Sequence, residues 1–161
     1  MIQALENKRK ELIPILMELK KAKPWQGSEQ KRYLKYARTL SQLSDVMGVT
    51  SVLVYYPQLP YQGECLRFKG GWGIVAIRRF SVITFLHEFA HLFSSNELEV
   101  RNWSASMFSQ VWPRQFSKLI WDPVSGDYLT QASYLKVFRS RYLHLCTFLD
   151  RVQDFKESWS F

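Results

Sequence analysis

Residues 83–104 read ITFLHEFAHLFSSNELEVRNWS, and how this stretch folds decides what the rest of the chain must build around it. His87 and His91 are four positions apart, so a helix here projects both imidazoles from one face, about one turn apart. Two ring nitrogens placed that way can serve one tetrahedral metal ion. Glu88 lies one residue on, rotated by roughly 100° around the helix axis. From there its carboxylate reaches a metal-bound water without being a ligand itself, which suits a general base in peptide hydrolysis. The neighbours support a helix: Val82, Ile83, Phe85, Leu86, Phe89, Ala90, Leu92 and Phe93 make it apolar on most sides. The plainer alternative is two core histidines meeting by chance. It is disfavoured because the chain holds only three histidines, and two of them bracket Glu88 in the spacing His-Glu-x-x-His.

A catalytic zinc takes a third protein ligand. Ser94, Ser95 and Asn96 can end the helix, and a new one from about Glu97 runs to the stop at Pro113. On that helix Glu97 shares a stripe with Val100, Ser104, Met107 and Val111, which turns it inward. Glu99 shares its stripe with Asn102, Ser106 and Gln110 and turns outward, where Asn96 and Glu99 fit the two ends of a capping box. Helical phase therefore favours His87, His91 and Glu97 as metal ligands for one zinc per chain, with Glu88 as the catalytic base. Glu99 and His144 stay open as third ligand.

Around this centre the pattern is α+β. Ile2, Leu5, Leu12, Ile15, Leu16 and Leu19 form a helical stripe that Pro14 interrupts. After a break at 23–28, Ser28 caps a second helix with Tyr33, Leu34, Ala37, Leu40, Leu43 and Met47 as its buried face, ending at Gly48. Residues 49–56 (VTSVLVYY) read as a strand, and 65–79 as two short strands around Gly70 and Gly71, the second leading into the His87 helix. Residues 119–130 read as a hairpin, and from Gln131 to about Glu157 a last helix carries Tyr134, Leu135, Phe138, Tyr142, Leu145 and Leu149. The expectation is one domain over 1–161: a helical part (1–48), a small antiparallel sheet with the metal-site helices (49–113), and a hairpin with a C-terminal helix (114–161).

GWGIVAIRRFSVITFLHEFAHLF (71–93) followed by ELEVRNWSASMFSQVWP (97–113) resembles the ImmA/IrrE family of metallopeptidases, and gluzincins more broadly. The shared pattern is a strand resembling Ile74–Ile77, a threonine three before the first histidine (Thr84), the zinc motif, and a second helix matched by Glu97, Val100, Trp103 and Ser104 before Pro113. The resemblance covers about residues 30–113. It implies a zincin-like fold and Glu97 as the third ligand. It also implies a regulatory endopeptidase with a narrow protein substrate, since family members often sit beside mobile genetic elements and cleave repressor proteins. By the same analogy Trp72, Gly73, Ile74, Val75 and Ala76 bind substrate by strand addition. The chain departs from the family in its short link from His91 to Glu97, in Val100 for alanine, and in Arg101 for Asn or Asp.

Composition narrows the remaining classes. With 47% hydrophobic and 16% aromatic residues the chain is globular rather than disordered. No apolar run approaches the roughly 18 residues of a membrane span, so no membrane partner is expected. The charged N-terminus is unlike a signal peptide, and Cys65 and Cys146 read as reduced thiols, which together imply a cytoplasmic protein. The net charge of +8 is concentrated before residue 40, with Lys8, Arg9, Lys10, Lys20, Lys21, Lys23, Lys31, Arg32, Lys35 and Arg38. Such a field favours nucleic acid or an acidic partner, although a solvated helical face explains it more simply. Residues 40–56 also fit helix-turn-helix spacing. Yet 50–56 are rich in valine and tyrosine, end at Pro57, and offer no Arg, Lys, Asn or Gln to read bases, so a strand is preferred. Two rivals to the peptidase remain: a basic nucleic-acid-binding protein, and a non-catalytic interaction protein on a zincin-like scaffold. Tyr128, Tyr134, Tyr142 and His144 are all candidates for oxyanion stabilisation.

Overall fold

A computed structural model of the chain describes residues 2–122, 127–131 and 135. The chain divides into two compact units, Met1–Phe116 and Ser117–Phe161. The first is mixed α+β. Its elements are α1 (Gln3–Asn7), α2 (Arg9–Lys21), α3 (Glu29–Met47), β1 (Thr50–Tyr55), β2 (Gly63–Phe68), β3 (Trp72–Ile77), α4 (Val82–His91), α5 (Glu97–Val111) and α6 (Pro113–Phe116).

The N-terminal helical stripe breaks at Lys8, and Pro14 stays inside α2. A proline there forfeits one backbone bond. The burial of Leu12, Leu16 and Leu19 along one side of α2 outweighs that loss. In α3 the Ser28 hydroxyl accepts from the Lys31 N–H at 3.3 Å, and Gly48 ends the helix in the left-handed conformation that glycine adopts at little cost. Both signals act as expected. The buried face of α3, however, is Tyr36, Thr39, Leu40, Leu43 and Ser44, while Leu34 is exposed. Tyr36 turns in because its ring meets the edge of Phe85, 5.2 Å between centroids.

The three-stranded sheet runs β1-β3-β2, with β1–β3 parallel and β2–β3 antiparallel, so the expectation of a purely antiparallel sheet is corrected. The reason lies in residues 56–62, which contain Pro57 and Pro60. This link carries the chain from β1 across two strand spacings, roughly 10 Å, leaving a gap that β3 fills on its return. Odd-numbered strand residues face the helices. Leu53, Val75 and Ile77 are buried there, and the Tyr33 hydroxyl of α3 reaches the Leu53 carbonyl at 3.1 Å. The even-numbered face carries exposed Val52, Val54, Leu66, Phe68 and Trp72, the last two stacked 4.0 Å apart.

Ser81 caps α4, its hydroxyl accepting from the Thr84 N–H at 3.4 Å, and Phe85, Leu86, Phe89 and Ala90 are fully buried. Helix α2 holds α5 through Arg9, which donates to Gln110 Oε1 (2.9 Å) and Ser106 Oγ (3.0 Å), and through Lys20, which donates to the Val111 carbonyl. In the second unit β4 (Leu119–Asp122) and β5 (Asp127–Thr130) form the expected antiparallel hairpin. The expected last helix is represented by Gln131 and Leu135 only; Tyr134, Tyr142 and His144 lie outside the described residues. Among the described residues no helix is long and apolar enough to cross a membrane.

Candidate metal centre

Helix α4 carries His91 in its last turn and His87 one turn before it, and α5 begins at Glu97 after a bend at residues 92–96. The bend is short, yet it turns the chain fully back. Ser94, itself buried, organises it: its hydroxyl accepts from the Asn96 N–H (3.1 Å) and donates to Glu99 Oε2 (2.8 Å). Asn96 caps α5 by accepting the Glu99 N–H at 3.1 Å. The expected capping box is thus closed through Ser94 rather than directly. Glu99 is spent on this structural task.

The Glu97 carboxylate lies across both imidazoles. Its Oε1 is 3.2 Å from His87 Nε2, its Oε2 is 3.2 Å from His91 Nε2, and the two Nε2 atoms are 3.1 Å apart. Ligands about 2.0–2.2 Å from a tetrahedral metal are separated from one another by roughly 3.3–3.5 Å. The three spacings approach that edge length, and the three side chains can hold a metal ion. The protonation pattern agrees. His91 Nδ1 lies 3.1 Å from the Ser94 carbonyl, which can only accept, so Nδ1 carries the proton. A neutral His91 then presents the lone pair of Nε2 to the cluster, the arrangement found in metal-bound histidines.

Glu88 is buried against β2 rather than joined to the cluster as a ligand. A Cβ added at Gly63 would come within 2.5 Å of Glu88 Cγ and 2.7 Å of its Oε1, so only glycine leaves room for this carboxylate. Its pKa is pushed up to about 7, first by burial, then by the nearby charges of Glu97 and Glu64. The Cys65 thiol, also on β2, is pushed up to about 12 by burial and then by Glu88.

No family model, curated protein or solved structure matches this chain. Of the residues singled out in the sequence, His87, His91 and Glu97 come together, with Glu88 beside them. Trp72 to Ala76 do not form an open binding edge. They lie in β3, whose two edges are both taken up by β1 and β2, leaving no free backbone row for an added strand. Trp72, Ile74 and Ala76 also point to the face away from α4. The edge strand beside the metal cluster is β2. Sequence reasoning missed this strand's role, the contribution of Ser94, and Arg101, whose guanidinium donates to Glu97 Oε1 at 3.1 Å. Gly63 was the available signal for β2, since a glycine inside a strand marks close approach of another group. The segment Thr50–Tyr55 is a strand, so it offers no recognition helix.

Proposed function

We propose that this chain is a zinc-dependent endopeptidase, similar in its core to the ImmA/IrrE and gluzincin type, with a protein or peptide as substrate. The observation that carries the reading is the near-tetrahedral spacing of His87 Nε2, His91 Nε2 and the Glu97 carboxylate. A bound zinc ion supplies Lewis acidity, polarising a carbonyl and making water acidic enough to attack near neutral pH. The chain's own residues do the rest. Glu88 takes a proton from the attacking water and returns it to the leaving amine. A carboxylate is suited to both steps, because it accepts the proton of the attacking water and, once protonated, can give it up to the amine. Burial against Gly63 keeps that carboxyl from wandering. A peptide added along the outer edge of β2 would run beside Glu88, and backbone pairing there would hold the scissile bond extended. By the same resemblance the activity is regulatory, with a narrow substrate range in which a repressor is the leading candidate. The charged N-terminus and the reading of Cys65 and Cys146 as reduced thiols favour the cytoplasm.

The test is metal analysis of the purified protein and its His87→Ala variant, together with digestion of a peptide library. The native chain should hold one zinc per chain and the variant none. Glu88→Gln should keep the metal and lose cleavage by at least about 100-fold. A native chain that refuses added zinc would overturn the proposal.

A further inference from the structure

Glu97 stands in the first turn of α5 with half of its side chain exposed, a setting in which a free glutamate samples several rotamers. Here it does not stand alone. Arg101, one turn further along α5 and only 22% exposed, donates from Nη2 to Glu97 Oε1 at 3.1 Å. The order, acidic residue first and basic residue four later, is the favourable one for a helical pair.

Resting on the metal-centre reading, we infer that Arg101 is a positioning residue: it holds the Glu97 carboxylate over the two histidines before the metal arrives. Such a tether works in two ways. It charges the ordering of the Glu97 side chain to folding rather than to metal binding, and outer partners of this kind commonly set metal affinity by 10- to 100-fold. It also occupies lone-pair capacity on Oε1, so that Oε2, facing His91, is the freer oxygen for the metal. A single-oxygen contact from Glu97 keeps a coordination position clear for water or substrate. The opposing effect is repulsion between the guanidinium and the metal. At a partly exposed site solvent and salt screen that repulsion, while the hydrogen bond is short-ranged and keeps its geometry.

The experiment is zinc affinity, measured by chelator competition, on the whole chain and on Arg101→Ala, Arg101→Lys, Glu97→Ala and the double variant Arg101→Ala/Glu97→Ala. Arg101→Ala should bind zinc roughly tenfold or more weakly. Arg101→Lys, which keeps the charge, should recover part of the loss. Arg101→Ala should have no further effect once Glu97 is alanine, because it acts through that carboxylate. The visible spectrum of the cobalt-loaded Arg101→Ala protein should differ in intensity from native, reporting altered carboxylate contact. Native-like or tighter zinc binding by Arg101→Ala overturns the inference, as does an undiminished effect in the Glu97→Ala background. Either result leaves the metal centre standing. A native chain that binds no zinc removes both readings together.

Discussion

Glu88 is a buried carboxyl with two other carboxylates close by. Burial between α4 and β2, with Glu97 and then Glu64 adding negative charge, raises its pKa from the ordinary glutamate range to about 7. In metal-free protein this has a defined consequence for stability. The folded state binds the Glu88 proton more tightly than the unfolded chain does. Its stabilising contribution is therefore complete below the unfolded pKa, about 4.3, and is lost as pH rises through about 7. Glutamine fits the same space and has no charge to desolvate. With a chelator present, Glu88→Gln should be more stable than native by about 2–3 kcal/mol at pH 8 and nearly equal to it at pH 4. Urea unfolding at the two pH values measures the difference. Equal stabilities at pH 8 would mean that the buried carboxyl is not strained by its surroundings.

At the scale of elements, the bend from α4 to α5 determines whether a ligand cluster can exist. The link between His91 and Glu97 is short, and its closure depends on Ser94 bonding in both directions. Ser94→Ala removes both hydroxyl bonds while leaving the carbonyl that orients His91. It should cost about 1–3 kcal/mol in urea unfolding and retain one zinc per chain; a change within 0.3 kcal/mol would show that the bend is held by packing alone. This bend also shows what was legible in the sequence. The caps Ser28 and Asn96 and the stop at Gly48 could all be read, because each depends on residues within one or two turns. Glu97, expected to face inward, is instead 53% exposed, and Glu99, expected to face outward, is the more buried of the two. What escaped depends on distant partners. The parallel pairing of β1 with β3 was hidden because the strand pattern does not say which edge a neighbour takes. Strand addition was accordingly assigned to β3, which lies in the middle of the sheet, while the strand at the sheet's edge beside Glu88 is β2. The helix break at Lys8 escaped for a related reason: the leucines of α2 carry the helix through Pro14.

For the molecule as a whole, the net charge of +8 is the excess left after every acidic side chain is set against a basic one. Lys8, Arg9 and Lys21 pair with Glu11, Glu6 and Glu18, and Lys20 and Lys35 donate to backbone carbonyls. Exposed pairs of this kind contribute little to stability and leave the excess of positive charge unchanged. Within Met1–Phe116, α4 meets α5 at the bend of residues 92–96. That junction brings two histidines and a carboxylate within hydrogen-bond distance of one another, an arrangement that favours a cation between them. A metal bound there would bridge two helices that also pack through Phe89 and Trp103, and its binding energy should appear as resistance to unfolding. At a zinc concentration about 1,000-fold above the dissociation constant, linkage adds about 4 kcal/mol. For a compact unit of this size that raises the unfolding temperature by roughly 10 °C or more. Calorimetry of the whole chain should therefore show a transition that rises with zinc, falls on chelation and reverses on re-addition. His87→Ala and Glu97→Ala should each remove most of the rise, whereas Glu99→Ala should keep it, since Glu99 bonds to Ser94 and not to the cluster. A zinc-dependent rise that survives His87→Ala but disappears in Glu99→Ala would move the metal from the α4–α5 cluster to the cap of α5.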